Sequence, residues 1–238
     1  MMKFLHVVVV VLSLLSLGWS APVTNCDDLL RPIVIQGRDQ LLGKWFYVGE
    51  STDLPGVKVL TKMFVESIWW NMTAAEENND IVNFQNQKSF GYCFSLSYNI
   101  TVEHNQLVMV HPYPASAFLL NTICPDCMVL SSNYTIGGSS YKALQLLSRR
   151  TKVSAAELDE FAKQVECLNL PETTIMDPEK GICPDPSISD ETRSLDLSSI
   201  NSDSFNVLDK VLNSKKGIQT MAENLSKLIG FEANTSQD

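Results

Sequence analysis

Between residues 43 and 148, hydrophobic and polar residues alternate along short segments. In "VESIWWNMT" and "FSLSYNITV", bulky apolar residues interleave with polar ones, as in a strand with one buried face. Gly, Asn, Asp and Pro residues separate the segments, a pattern typical of an antiparallel barrel or sandwich. It predicts eight strands, near residues 44–51, 58–72, 80–88, 90–103, 106–111, 116–123, 127–135 and 140–149.

A single helix is predicted after the last of these strands. Ser154 and Glu157 have the spacing of a capping box, in which each side chain bonds the backbone of the other residue. Apolar residues then recur at intervals of three and four until Pro171 ends the helix. The residues on this apolar face are Leu158, Phe161, Val165 and Leu168.

The first 20 residues have the pattern of a secretory signal peptide. Lys3 precedes a short apolar run, and the small residues Gly18 and Ser20 allow cleavage before Ala21. The alternative is a membrane anchor, but the run is shorter than the roughly 18 to 20 residues of a spanning helix. We therefore expect a secreted protein of blood plasma or another body fluid.

Beyond Cys183 the composition changes. The segment "PDPSISDETRSLDLSSINSDS" is rich in Ser, Asp and Pro, as linkers are. Amphipathic stretches interrupted at Gly217 follow it. One interpretation is a helix that lies on the barrel or frays in solvent. The other is a helix that binds a partner or a lipid surface. The predicted divisions are a signal peptide (1–20), a barrel domain (21–185) and a linker with an amphipathic tail (186–238).

Charge, cysteines and sequons also indicate an extracellular protein. The net charge of -9 becomes -10 when Lys3 leaves with the signal peptide, which argues against nucleic acid or anionic membranes as partners and against stable membrane insertion. All six cysteines follow the cleavage point, where an even count indicates disulfides. Sequons for N-glycosylation lie at Asn71, Asn99, Asn133, Asn224 and Asn234.

Sequence motifs of enzymes are absent from the chain. It has no Gly-x-Ser-x-Gly elbow, no His-Glu-x-x-His, no phosphate-binding glycine loop and no dinucleotide fingerprint. The mature chain has only two histidines, His104 and His111, without recognisable partners for acid–base catalysis. We therefore expect a binding protein without cofactor or metal, and not an enzyme.

A Gly-x-Trp motif opens the first predicted strand, in "LLGKWFYV" at residues 41–48. With eight strands and one helix behind it, the chain resembles the lipocalins. Together with "GYCFSLSYNITV" and "AAELDEFAKQVECLNLPE", this stretch is most similar to the alpha-1-acid glycoprotein (orosomucoid) group and to fish plasma lipocalins that bind saxitoxin, tetrodotoxin or tributyltin. The resemblance covers roughly residues 26–185. It implies an all-β fold, an eight-stranded antiparallel up-and-down barrel with one C-terminal α-helix packed outside.

The resemblance also implies how the barrel is closed. Trp45 seals its floor, Gly43 lets the entering chain pass close beneath, and an arginine from the end of the last strand covers the indole. In "SRRTKVS" we assign this role to Arg150, from its place in the Arg-Thr pair. The chain departs from the family where a Thr-Asp-Tyr motif is common, because it has Cys-Pro-Asp-Cys at residues 124–127.

The cysteines pair by the same resemblance. The cysteine before the first strand is expected to bond the one that ends the helix, and the cysteine of the fourth strand the one after the helix. The Cys-x-x-Cys pair that is left also fits a redox dithiol or half a zinc site. A redox motif needs a helix N-terminus and zinc needs two more ligands, so we favour a disulfide that closes a turn. The predicted pairs are Cys26–Cys167, Cys93–Cys183 and Cys124–Cys127.

Strand alternation and the resemblance predict the side chains that line the central cavity, or calyx. With Trp45 inward at the floor, Tyr47 and Gly49 are expected to point inward too. Aromatic and apolar walls with a few amides and one carboxylate suit an amphipathic or cationic small molecule. The predicted ligand-binding residues are Tyr47, Glu66, Ile68, Trp70, Met72, Gln85, Gln87, Tyr98, Phe118, Tyr134, Gln145 and Leu147.

The sequence therefore predicts a monomeric plasma carrier. Its ligand is a small lipophilic, amphipathic or cationic molecule, such as a toxin or xenobiotic, with Glu66 as the charge partner of a basic group. The alternative is a secreted interaction or immunomodulatory glycoprotein that acts through its glycan surface and C-terminal tail. A third class, a lipocalin-type isomerase or other enzyme, needs a free reactive thiol, which the pairing of Cys93 removes.

Overall fold

The computed structural model describes residues 25–76, 80–177, 180–185 and 193–197, and the positions 210–211, 213–214, 216–217, 219–220 and 223. The predicted signal peptide, most of the linker and tail, and the sequons at Asn224 and Asn234 lie outside the described residues. In the part of the chain that is described, no helix is long and apolar enough to cross a membrane.

Eight antiparallel strands close into an up-and-down barrel. Each strand pairs with the next one along the chain, and the eighth returns to pair with the first. The predicted fold class is confirmed. The strands are β1 (Gly43–Thr52), β2 (Val65–Ala74), β3 (Asp80–Ser89), β4 (Tyr92–Glu103), β5 (Gln106–Met109), β6 (Ala115–Leu120), β7 (Cys127–Ile136) and β8 (Ser139–Ser148).

The α-helices described within the barrel domain are α1 (Cys26–Leu29), α2 (Val57–Phe64) and α3 (Ala155–Cys167). Helix α3 packs outside the barrel and starts with the predicted capping box between Ser154 and Glu157. Its Phe161 and Val165 are buried against Leu144 and other residues on the outer face of the sheet. This contact stabilises the helix, since an isolated helix of this length is marginal in water.

Helix α2 corrects a prediction, because residues 58–64 were expected to begin the second strand. The β-branched residues of "VKVLTKMF" favour a strand, but the chain forms a helix after Gly56, whose φ is +81°. Val57, Leu60, Thr61 and Phe64 recur at helical spacing and all face the barrel interior. Burial of this face outweighs the local preference for a strand.

The chain after α3 returns along the barrel. A short strand β9 (Thr174–Ile175) pairs with β1, and the Trp69 Nε1 atom donates a hydrogen bond to the carbonyl of Cys183. Further on, β10 (Arg193–Asp196) lies parallel to β4. A part of the segment that was expected to be a linker is thus a strand of the sheet, while the domain boundaries themselves stay predictions.

The three predicted disulfides are confirmed. Bonds join the cysteines of α1 and α3, of β4 and the returning chain, and of the Cys-x-x-Cys turn, so no cysteine is free. Of the sequons, Asn99 and Asn133 are exposed and Asn71 is half-buried. Glycosylation stays a prediction at all of them.

Candidate functional site

Trp45 closes one end of the barrel, which we call the floor. Its side chain is buried, and its Nε1 atom donates a hydrogen bond to the carbonyl of Leu41 at 2.7 Å. The guanidinium carbon of Arg149 lies 3.5 Å from the centre of the indole ring. Arg149 also donates to the carbonyls of Leu42 and Lys44, at 2.7 and 2.8 Å. One arginine thus ties the indole to the backbone that enters the barrel.

The assignment of Arg150 to this role was wrong. Gln145 and Leu147 face the barrel interior from β8, so the two-residue period places Arg149 inward and Arg150 outward. The Arg-Thr pair on which the assignment rested carries no information about the side of the strand.

Arg150 instead holds the loop below the floor to the start of α3. Its Nε atom lies 2.6 Å from a carboxylate oxygen of Asp126, and its Nη2 atom lies 2.8 Å from one of Glu157. The hydrogen bond from Arg150 lowers the pKa of Asp126. The pKa of Glu157 is lowered as well, first by the backbone N–H of Ser154 and then by Arg150.

Above the floor the barrel contains a cavity of about 660 Å³, a volume within the roughly 300 to 1,000 Å³ of small-molecule sites. Most of its walls are aliphatic or aromatic. Eight of the twelve residues predicted to bind ligand lie on these walls: Tyr47, Ile68, Trp70, Gln85, Gln87, Tyr98, Tyr134 and Gln145.

Three predicted residues lie off the cavity because of depth or orientation. Met72 and Leu147 face the interior but are packed beneath the cavity with Trp45, and both are almost fully buried. Ala117 lines the cavity from β6, so the alternation of that strand turns Phe118 to the outer face. The prediction placed Phe118 one position out of register.

Glu66 also lies off the cavity, because β2 contains a bulge at this residue. The register of β2 against β3 shifts between Val65 and Ser67, and Val65 lines the cavity in place of Glu66. The Glu66 carboxylate points outward, where it accepts a hydrogen bond from the Gly91 N–H at 2.6 Å and lies 3.1 Å from Lys88 Nζ. It is therefore not the charge partner of a ligand in the cavity.

Glu50 supplies the cavity carboxylate, and the prediction named the wrong residue because β1 also contains a bulge. The register of β1 against β8 shifts between Tyr47 and Gly49, so Glu50 lines the cavity and Gly49 does not. The Tyr47 hydroxyl donates to one oxygen of Glu50 at 2.8 Å, and the Thr61 hydroxyl donates to the other at 3.0 Å. An acidic residue directly after a glycine in a strand was the one available signal for the bulge.

Helix α2 covers the end of the cavity opposite the floor, which we call the mouth. Leu60 and Phe64 turn inward, and the Phe64 ring packs on Phe90 of the β3–β4 turn with 4.8 Å between ring centres. On the outer side, Lys58 pairs with Glu172 at 2.7 Å. The prediction of a strand here missed the whole mouth-side wall.

Four tyrosines line the same cavity as Glu50: Tyr47, Tyr98, Tyr113 and Tyr134. Burial raises the pKa of each, and the negative charge of Glu50 raises the pKa of all but Tyr98 further. The Tyr134 and Thr52 hydroxyls are 2.6 Å apart, and the Gln145 amide donates to the Tyr47 hydroxyl at 3.0 Å. The upper cavity therefore presents neutral phenols and electron-rich ring faces.

Two inward-facing side chains have polar atoms without a well-formed hydrogen bond. The Nε1 atom of Trp70 is buried in the cavity wall and has no partner, whereas the amide of Asn83 has only a poorly formed contact with the Tyr98 hydroxyl. A buried polar atom without a partner is costly. A ligand acceptor placed against Trp70 removes this cost, so the indole N–H is a candidate contact.

The Cys-x-x-Cys turn is not a ready metal site. Cys124, Asp126 and Cys127 hold their potential ligand atoms within 4.8 Å of one another, as no other group in the described ranges does. However, the two sulfurs are joined in a disulfide, and Asp126 is paired with Arg150. The structure therefore places a closed turn at this position.

The fold is that of the lipocalins. Among the solved structures that are similar to this chain is the siderocalin Ex-FABP, which is described as functioning through dual ligand specificities. The alignment covers 58% of this chain and 93% of that chain, with a TM-score of 0.51 and 13% sequence identity. No family model and no curated protein matches the sequence. At this identity the similarity establishes the barrel fold, while the predicted likeness to orosomucoids and to toxin-binding fish lipocalins stays a prediction.

Proposed function

We propose that this protein is a secreted carrier that binds a small amphipathic cation in the barrel cavity. The observation that carries the proposal is Glu50, the one charged side chain among the described residues that line the cavity. Among these described residues there is no lysine, arginine or histidine. A lipophilic ligand with a basic group therefore fits these walls better than a neutral or anionic one.

The surroundings of Glu50 favour a cation. Both carboxylate oxygens accept hydrogen bonds from neutral hydroxyls only, those of Tyr47 and Thr61. A charge inside a protein interacts more strongly with an opposite charge than it does in water. The faces of the nearby tyrosines and of Trp70, whose ring centre lies 5.9 Å from that of Tyr47, also attract cations.

The lower cavity suits an apolar body. Below the tyrosines the walls are aliphatic, with Ile100, Leu107 and Leu130 as examples. Each Å² of apolar ligand surface removed from water contributes on the order of 25 cal/mol, before the costs of association are subtracted. The apolar walls of the lower cavity thus provide affinity, and Glu50 selects the ligand by its charge.

Three ligands with one tail test this proposal. Decylammonium, decanol and decanoate share a ten-carbon chain and differ in charge, and isothermal titration calorimetry on the secreted full-length protein at neutral pH measures their affinities. We expect decylammonium to bind about 10 to 100 times more tightly than decanol, since a charge-assisted contact contributes roughly 1.5–3 kcal/mol. Decanoate should bind most weakly.

Glu50→Gln is the matching variant, because it keeps the shape of the side chain and removes the charge. The advantage of decylammonium over decanol should disappear, while decanol affinity stays unchanged. Glu66→Gln is the control, since that carboxylate lies outside the cavity. If none of the three ligands binds, the carrier proposal fails; if decanoate binds as well as decylammonium, the charge preference fails alone.

A further inference from the structure

One edge of β4 is only partly used by the barrel. β4 has 12 residues and β5 has 4, and the two strands pair only at Thr101–Glu103. The opposite edge of β4 pairs with β3 from Tyr92 to Thr101. The mouth-side half of β4 therefore presents backbone groups toward the connection that follows β5 (residues 110–114), without a barrel strand on that side.

A segment from beyond the barrel domain occupies this edge. β10 runs parallel to β4, with Arg193 opposite Phe94 and Asp196 opposite Ser97. The next residue, Leu197, lines the cavity, as do Leu96 on β4 and Met109 at the end of β5. The segment that ends at Leu197 thus contributes one side chain to the cavity wall.

The barrel has a second gap of this kind, and a disulfide lies close to the strand that occupies it. β1 and β2 pair only near the floor, from Gly43 to Phe46 on β1, and β9 takes the free edge of β1 above them. Just after β9, the Met176 N–H donates to the carbonyl of Val48, and Cys183 is bonded to Cys93. These anchors fix β9, whereas β10 follows the last disulfide by ten residues.

We propose that the free edge of β4, Phe94–Ser97, is a strand-addition site whose occupant, residues 193–197, detaches to open a side entrance to the cavity. Strand addition relies on main-chain hydrogen bonds, which a short segment makes and breaks as a unit. Parallel pairing is slightly weaker than antiparallel pairing. The tether from Cys183 keeps the detached segment close to its site, so that it returns readily.

Such an entrance complements the proposed carrier function. Helix α2 covers the mouth with its half-buried inner face, and the floor is packed. Detachment of four paired residues disturbs neither end, and leaves an opening beside Leu96. Use of the entrance by a ligand rests on the proposed function, whereas occupation of the β4 edge does not.

Hydrogen exchange measured by mass spectrometry tests occupation in the full-length protein. The variant Ser194→Pro/Leu195→Pro removes two backbone donors from β10, and Ser187→Pro in the preceding segment is the control. We expect amides of β4 in Phe94–Ser97 to exchange at least tenfold faster in the double variant only. Amides of β4 in Thr101–Glu103, which pair with β5, should keep their protection. Unchanged exchange at Phe94–Ser97 would overturn the proposal.

Two further measurements test the entrance. Quenching by acrylamide reports access to Trp70 in the cavity wall, because the other tryptophans of the mature chain, Trp45 and Trp69, lie outside the cavity and are buried. Stopped-flow dissociation of the apolar fluorescent probe 1-aminoanthracene reports ligand exit. Both rates should rise several-fold in the proline variant. Both should fall below the wild-type values in Phe94→Cys/Arg193→Cys, in which a disulfide holds the paired positions together.

The outcomes separate the two proposals. Faster exchange of β4 without any change in quenching or probe release would show an occupied edge that is no entrance, and would overturn the inference. If neither 1-aminoanthracene nor any of the three decyl ligands binds the wild type, but β4 exchange and Trp70 quenching both rise in the proline variant, the carrier proposal fails while the strand-addition site and its opening stand.

Discussion

The floor and the mouth of this barrel are built from the same eight strands in different ways. At the floor, Trp45, Met72 and Leu147 are packed without a cavity, and Arg149 covers the indole. At the mouth, hydroxyls and Glu50 surround open space under α2. The strands are regular near the floor and carry their bulges in the other half, at Val48 and Glu66. We infer that the floor provides the stability of the fold and that the mouth provides its binding chemistry.

The test with the largest expected effect replaces one aromatic residue at each end of the barrel. Trp45→Ala should lower the free energy of unfolding by about 3–5 kcal/mol, because a large buried side chain leaves a cavity. Phe64→Ala, on half-buried α2, should cost only about 1–2 kcal/mol but should change ligand affinity. Urea unfolding and calorimetric binding measure the two quantities.

A milder floor variant guards against failure to fold. Trp45→Phe keeps an aromatic plug and should lose less stability than Trp45→Ala, with ligand affinity close to the wild-type value. A loss at Phe64→Ala as large as that at Trp45→Ala would contradict the division between floor and mouth.

The buried tyrosines of the cavity should determine how the protein responds to alkali. Burial raises the pKa of Tyr98 above its ordinary value, so folding keeps this phenol neutral while the unfolded chain ionises it near pH 10. Its contribution is therefore complete below about pH 10 and is lost as pH rises further, by about 1 kcal/mol at about pH 11. Tyr98→Phe should remove that part of the alkaline loss, as measured by urea unfolding across the pH range. An unchanged alkaline slope would mean that Tyr98 is solvated in the folded protein.

Features that leave a clear chemical mark in the sequence could be predicted at either end. These features are a large aromatic plug after a glycine, cysteines at fixed places, and strands whose two-residue period is unbroken. Trp45, the three disulfides and the inward set on β3 were therefore placed correctly. Even at the floor, choosing Arg150 over Arg149 failed, because a motif was preferred to strand alternation.

The mouth could not be predicted in the same way. A bulge adds one residue and reverses the alternation beyond it, so the single predicted carboxylate, Glu66, turned outward and Glu50 turned inward. Helix α2 was missed because its β-branched residues favour a strand locally, while its inward face is stabilised only by contacts with distant strands. Both features depend on tertiary packing, which a local pattern does not contain.

The smallest effect compares the two neighbouring arginines below the floor. Arg149→Gln should lower the free energy of unfolding by about 1–2 kcal/mol, because the variant lacks the contact with the indole and two backbone hydrogen bonds. Arg150→Gln removes solvent-exposed ion pairs, which contribute little, so its loss should be clearly smaller at neutral pH.

Acid distinguishes the two losses. The pKa values of Asp126 and Glu157 are lowered in the folded protein, with Arg150 as one cause, so their contribution is present above their unfolded values near pH 4 and is lost as pH falls further. The difference between wild type and Arg150→Gln should therefore shrink below about pH 4, while the cost of Arg149→Gln, which involves no carboxylate, should persist. Urea midpoints at neutral and acidic pH measure both. A larger loss of stability in Arg150→Gln than in Arg149→Gln would contradict this. The floor would then be stabilised mainly by the arginine that binds the loop below it, and not by the one that covers the indole.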